Sequence, residues 1–223
     1  MTEEGAQRQT RWRRYGPGIG VGAGLALLAA GAYQYGLRPV LVTHESLMNR
    51  ARQPVQTGRA WAERLEVPGV PNLHKVSDSL YRGGQPTEEG VLQLKALGVK
   101  TIVNLRTWHS DRDEIGQTHD VNYERITTQP WDVGDEDAIQ FLRIVTDPAQ
   151  APVYVHCQRG ADRTGTMCAI YRIVVQGWTK DEALAEMTQG GFGFYEGWKG
   201  LVETIRALDV ETLRKGLSGP AVQ

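Results

Sequence analysis

The segment His156-Cys157-Gln158-Arg159-Gly160-Ala161-Asp162-Arg163-Thr164-Gly165 gathers a thiol, an imidazole, two guanidiniums, a carboxylate and a hydroxyl within one short stretch. A loop of this length, opening a helix, aims successive backbone N–H groups into one concavity. The helix N-terminus adds positive potential, which makes an anion nest of phosphate size. Gly160 supplies the backbone freedom for that curvature. Nest amides, helix dipole and Arg163 all favour the charged form of Cys157, and a thiolate is a competent nucleophile at neutral pH. Arg163 offers a planar fork of donors that matches two phosphate oxygens and the charge spread over them in a transition state. Thr164 is placed to give its hydroxyl to the sulfur when that sulfur leaves, and His156 to orient the loop through hydrogen bonds rather than act as a base. The bland alternative is that Cys157 is a packed structural cysteine and Arg163 a surface charge; Cys168, inside the following helix, is in either case read as a packed small hydrophobe rather than a resolving thiol.

Such a loop needs a strand to deliver it and a helix to receive it. The run 152–156 is short, β-branched and apolar, and a helix is predicted over 164–176. Further strands are predicted within 73–81 as a pair or edge, at 101–105 and at 122–127. Helices are predicted from a Thr87 cap to Gly98, over 136–145, from a Thr179/Glu182 capping box over 182–187, and over 198–208. Strands alternating with helices imply an α/β domain with a central, mostly parallel sheet covered on both faces. The loop then lies at the carboxyl end of a strand, where open sheets of this kind build ligand sites.

The whole chain has 25 Lys and Arg against 26 Asp and Glu, so no chain-wide basic field speaks for nucleic-acid binding. Two cysteines make neither a disulfide framework nor a four-thiolate zinc site, so any chemistry they do is local. Residues 1–15 are basic, with Arg8, Arg11, Arg13 and Arg14, and 16–33 is apolar but carries six glycines. As a helix, 16–33 would reach roughly 27 Å against a bilayer core of about 30 Å. The stretch 16–37 is read as a membrane anchor, with a signal peptide cut near Ala30-Gly31-Ala32 as the alternative. The arginine cluster then places the rest of the chain on the non-cytoplasmic side, secreted or periplasmic if the segment is cleaved. Residues 38–71 read as a breaker-rich spacer with a short helix at 61–65, 72–210 as the α/β domain and 211–223 as a tail.

The His-Cys, five residues, Arg, Thr pattern resembles the cysteine-dependent protein tyrosine and dual-specificity phosphatases. Tyr81-Arg82-Gly83-Gly84-Gln85-Pro86-Thr87 and Thr101-Ile102-Val103-Asn104-Leu105-Arg106 are also similar to compact bacterial members, and the likeness covers approximately 73–208. The resemblance implies a sheet of four to five strands and a two-step hydrolysis of a phosphomonoester through a cysteinyl-phosphate, with no metal or cofactor. Cys157 is then the nucleophile and Arg163 the phosphate clamp, Thr164 supports the leaving thiolate, and Gln158, Arg159, Gly160, Ala161, Asp162 and Arg163 form the cradle. The implied partners are a phosphorylated protein, small molecule or lipid.

The family's general acid is usually an Asp about thirty residues before the nucleophile. Here Asp132, twenty-five before Cys157, is the first choice. Asp162 is the rival, as an acid or as an orienter of Arg163, while Asp135 and Glu136 read as helix-start charges and Glu124 falls in a strand. His109, Asp111, Arg112, Asp113 and Glu114 read as a solvated charged loop, and the glycine-rich 190–195 as a connection or a pocket wall. The missing standard spacing keeps a catalytically weak phosphate-binding module as an alternative; a rhodanese-like sulfur transferase would lack the Arg-Thr continuation.

Overall fold

The computed structural model describes residues 58–111 and 121–219. Strands β1 (Glu63–Arg64), β2 (His74–Ser77) and β3 (Leu80–Gly83) precede helix α1 (Glu88–Ala96). Strands β4 (Thr101–Asn104) and β5 (Asn122–Arg125), helix α2 (Asp135–Thr146) and strand β6 (Val153–His156) follow. Four helices close the chain: α3 (Asp162–Val174), α4 (Lys180–Gln189), α5 (Lys199–Ala207) and α6 (Val210–Ser218).

Among the described residues the sheet has six strands in the order β1-β2-β3-β6-β4-β5, more than the four to five expected. Its β3-β6-β4-β5 part is parallel, and β1 and β2 add an antiparallel edge. The extra strand comes from the stretch read as a short helix at 61–65. Glu63 and Arg64 instead pair with Lys75 and His74, and the Leu65 amide donates to the Leu73 carbonyl. Tertiary pairing overrides a weak local preference there.

Side chains alternate across the strands. Tyr81, Ile102 and Tyr154 face α1 and join Val91 and Leu94. Leu80, Val103, Val153 and Val155 face the other helices. Helix α3 is buried almost all round, which makes it the central helix of that layer. The expected caps are in place: Thr87 accepts from the Gly90 amide at 3.2 Å, and Thr179 and Glu182 form a reciprocal capping box. The stretch read as a tail folds as α6, capped by Asp209 and packed on α2, with Gly216 against Ile139 and its carbonyl held by Arg143. Among the described residues no helix is long and apolar enough to cross a membrane, and the segment 16–37 read as an anchor lies outside them.

One buried ion pair ties the sheet edge to this layer. Arg172 of α3 makes a two-pronged contact with Glu186 of α4 at 2.8 and 2.6 Å, stacks on Trp178 and donates to the Val76 carbonyl. Glu186 also accepts from the Ala62 amide just before β1. Removing one partner leaves the other charge buried and uncompensated, a change worth about 3–5 kcal/mol. Glu186→Gln is therefore expected to lower the unfolding free energy by about 3 kcal/mol in urea titrations; a loss below about 1 kcal/mol would show that the pair is not what holds this edge.

Candidate active site

Strands β3, β6 and β4 end level with one another, Gly83 and Asn104 both lying opposite His156. The loops that leave them therefore converge at one edge of the sheet. The chain after β6 carries Cys157 and turns through Gly160, at φ +73°, into α3. Thus Cys157, Gln158, Arg159, Asp162 and Arg163 line a cavity of about 200 Å³, with Pro130 and Trp198 completing its wall. A larger groove of about 530 Å³ lies near Ser79, Pro152 and Tyr171 at the opposite end of β6. It contains neither a nucleophilic loop nor a guanidinium, so size does not locate the chemistry.

Four successive carbonyls of the loop accept hydrogen bonds from the chain around β2 and β3. Gln158 O accepts from the Gln85 amide at 3.1 Å, and Arg159 O from Asn72 Nδ2 at 3.0 Å. Gly160 O and Ala161 O both accept from Arg82 Nη2, at 2.7 and 3.2 Å. Among the described residues no backbone N–H from Gln158 to Thr164 donates to a protein acceptor. With four successive carbonyls tied down on the outside, the amides are left for a ligand, as an oxyanion site requires. A Cβ on Gly160 would stand 2.2 Å from the Gly83 carbonyl carbon, so the loop seats directly on the β3 backbone.

Arg163 is aimed by its neighbours. Its Nη1 donates to the carbonyls of Leu105 and Thr128 at 3.0 and 3.4 Å. Its Nε and Nη2 have no hydrogen-bond partner among the described residues, so one edge of the guanidinium stays available for two oxygens. Cys157 is buried but reaches the cavity. The Thr164 hydroxyl is buried without a hydrogen-bond partner, so the expected contact with the sulfur is not made in this structure.

His156 is hydrogen-bonded at the base of the loop. Its Nδ1 lies 3.2 Å from the Cys157 carbonyl and its ring stacks on Tyr154. Its Nε2 is 2.6 Å from Asp111 Oδ2. Asp111, read from sequence as part of a solvated loop, is instead fully buried, and its Oδ1 accepts from Gln85 and Asn104, each at 2.8 Å. The local sequence carries no sign of this, because the partners arrive from β4, β6 and the chain after β3. Burial raises the Tyr154 phenol well above its usual range, and its hydroxyl donates to the Gly84 carbonyl.

The two acidic candidates part company. Asp162 accepts from the Tyr195 amide at 2.8 Å and pairs with Arg159, not with Arg163, at 3.0 Å. Both of its oxygens are thus engaged, and it tethers the glycine-rich 190–195 connection to the loop. Of that connection, Phe192 is buried, and Asn72 Nδ2 donates to its carbonyl as well as to that of Arg159. Asp132 is exposed on the turn after β5, two residues beyond Pro130, and does not line the cavity in this structure. Among the described residues no cluster of His, Cys, Asp and Glu has the arrangement of a metal site.

Residues 70–196 match the family described as "DSP-PTPase phosphatase fused to NAD+ Kinase". The chain belongs to the dual-specificity phosphatase family. The dual specificity protein phosphatase TpbA of Pseudomonas aeruginosa (strain UCBPP-PA14) is 37% identical over 71% of this chain and 72% of its own length. The crystal structure of P. aeruginosa TpbA superposes with a TM-score of 0.63 at 37% identity, covering 72% of this chain and 98% of that one. A cysteine-to-serine form of TpbA in complex with pTyr gives 0.64 at 36% identity, over 74% and 99%. This chain is accordingly a cysteine-dependent phosphatase of the dual-specificity type.

Two outcomes follow from the seating of the loop. Gly160→Ala adds a Cβ into the β3 backbone at a left-handed φ, so it should cut phosphate-ester turnover at least ~100-fold while far-ultraviolet circular dichroism stays close to wild type. Retained turnover would mean that the cradle tolerates a shifted loop. His74, buried beside Phe192, has its pKa lowered mainly by burial, with Arg82 adding to the effect and the Asn72 carbonyl opposing it. The unfolded chain then binds the extra proton more readily, so the contribution of His74 to stability is full above about pH 6.5 and falls as pH drops through its lowered folded value. Thermal melts from pH 7.5 to 5 should show this loss in the wild type and a flatter profile in His74→Gln.

Proposed function

We propose that Cys157 is the nucleophile, Arg163 the phosphate clamp, Asp132 the general acid and the loop amides the oxyanion cradle of a metal-independent phosphomonoester hydrolase. Cys157 Sγ attacks phosphorus, forming an S–P bond as the ester P–O bond breaks. The leaving oxygen takes its proton from Asp132. Water then attacks the cysteinyl-phosphate, giving a proton to Asp132 as the S–P bond breaks and inorganic phosphate and the thiolate are released. Thr164, with a buried hydroxyl lacking a partner, is set to donate to that departing sulfur. The observation that carries this reading is the outward fixing of four consecutive loop carbonyls around a cavity that contains both Cys157 and the open edge of Arg163.

Asp132 is chosen over Asp162 because Asp162 is occupied on both oxygens, whereas Asp132 stands on the turn whose Pro130 walls the cavity. Phosphotyrosine on a protein is the favoured substrate. Pro130 and Trp198 give the cavity wall flat apolar faces that suit a ring, and the related TpbA structure contains pTyr. Arg159, with its side chain largely exposed at the rim, favours a second reading, a polyphosphorylated inositol. An inositol diphosphatase of Arabidopsis thaliana, 28% identical over 66% of this chain, points the same way. The apolar length of 16–37 and its arginine flank support a tether to a membrane, with the catalytic domain on the non-cytoplasmic side.

Cys157→Ser should abolish turnover of phosphotyrosine in the presence of EDTA, and turnover that survived would reject the covalent mechanism. Asp132→Asn should lower kcat about 100-fold on phosphotyrosine and less on an aryl ester with a weakly basic phenol. An equal loss on both esters, or none, would remove Asp132 from the acid's role.

A further inference from the structure

Behind the loop lies a buried charge, Arg82, with no carboxylate partner among the described residues. Arg82, in the middle of the sheet on β3, is 1% exposed. A guanidinium stays protonated in proteins, and burying one without a carboxylate is costly. Among the described residues, however, no carboxylate makes an ion pair with it. Its Nη2 is spent on the Gly160 and Ala161 carbonyls, its Cζ lies 3.8 Å from the Phe192 ring centroid, and its Nε is buried without a partner. Gly165 keeps the α3 backbone close, since a Cβ there would stand 3.4 Å from Nη2.

The groups around Arg82 do not neutralise it. His74 on β2 is shifted towards its neutral form, in part by Arg82 itself. Tyr154 on β6 is held as the phenol by burial, and burial pushes the Cys168 thiol on α3 up to about 11, with Arg82 opposing both shifts. On the cavity side, Asp162 pairs with Arg159, and Asp111 is taken up by His156, Gln85 and Asn104. What remains near the positive end of α3, Arg163 and Arg82 is the cavity itself.

We propose that Arg82 is a positioning residue of the phosphate site: it fixes the Gly160 and Ala161 carbonyls outward and sets a permanent positive charge behind the cradle, so that the anion held there is its counter-ion. This rests on the phosphatase reading, yet it assigns work to a residue that never touches substrate. The role has two separable parts, geometry and charge. Lysine keeps the charge and loses the fork; glutamine keeps an amide donor and loses the charge.

The test uses the full chain with Arg82→Gln and Arg82→Lys. Three quantities are read: the pH midpoint of Cys157 alkylation by iodoacetamide, the Kd of inorganic phosphate by calorimetry, and the KM and kcat for phosphotyrosine. Arg82→Gln should raise the alkylation midpoint by about one pH unit and weaken phosphate about tenfold, and kcat should fall with it. Arg82→Lys should leave the midpoint within a few tenths of a unit and still weaken phosphate several-fold. A folded Arg82→Gln whose midpoint and phosphate Kd match wild type within twofold would overturn the proposal, even if its melting temperature fell, since that is the pattern of a merely structural arginine. Should Arg82→Gln not fold, an Arg82→Lys protein with unchanged phosphate affinity overturns it alone. The alkylation and phosphate measurements need no turnover, so they can fail while the Cys157→Ser result stands, and the reverse.

Discussion

Peptide units have two ends, and the site depends on which end faces the cavity. Along Gln158 to Ala161 the carbonyl ends are fixed by donors from the chain around β2 and β3: Asn72, Arg82 and the Gln85 amide. Water would supply donors as readily in an unfolded loop, but it would not enforce a single orientation. Fixing the dipoles before a ligand arrives removes the reorganisation that a flexible loop would need, and this is the main source of electrostatic catalysis. The remainder of the architecture can be read as support for that arrangement. Three strands end at one level, Gly160 allows the loop to lie on β3, and the buried Asp111–His156 contact steadies the residue before Cys157.

Arg163 shows the same logic from the opposite sign. Two carbonyls, from the chains following β4 and β5, hold one of its nitrogens and leave the other edge open. A guanidinium has enough donors to be both anchored and available, which an ammonium cannot match geometrically. Asp162 applies the device to the cavity's far wall, joining Arg159 to the Tyr195 amide. Relatives such as P. aeruginosa TpbA share the fold over nearly their whole solved length, so this scaffold is common property. Pro130, Arg159 and Trp198 line the cavity beside this scaffold.

The parts legible in the sequence are those set by neighbours along the chain. The Cys157–Arg163 spacing, the Thr87 and Thr179 caps and the apolar runs at 101–104 and 153–156 each follow from local pattern, and each is found in place. The contributions of Asn72, Arg82 and Asp111 were not legible, because their meaning comes from partners distant in sequence. Asp111 sits in a polar stretch that looks solvated, and only His156 and Asn104 turn it into a buried acceptor. Strand β1 is too short to carry a period, and it exists because β2 lies beside it. Helix α6 had a readable Asp209 cap and apolar spacing, but its position after the recognisable domain disguised it as a tail.

The separation between the donors and acceptors of the loop bears on how the protein is made. Asn72 reaches Arg159 across 87 positions and Arg82 reaches Gly160 across 78. Contacts that distant form only after long stretches of chain have been closed, and non-local parallel pairing is the slow part of folding. During synthesis and refolding, Cys157 therefore sits in an unfinished chain, and the loop around it takes its shape only when β3 and β6 have zipped together.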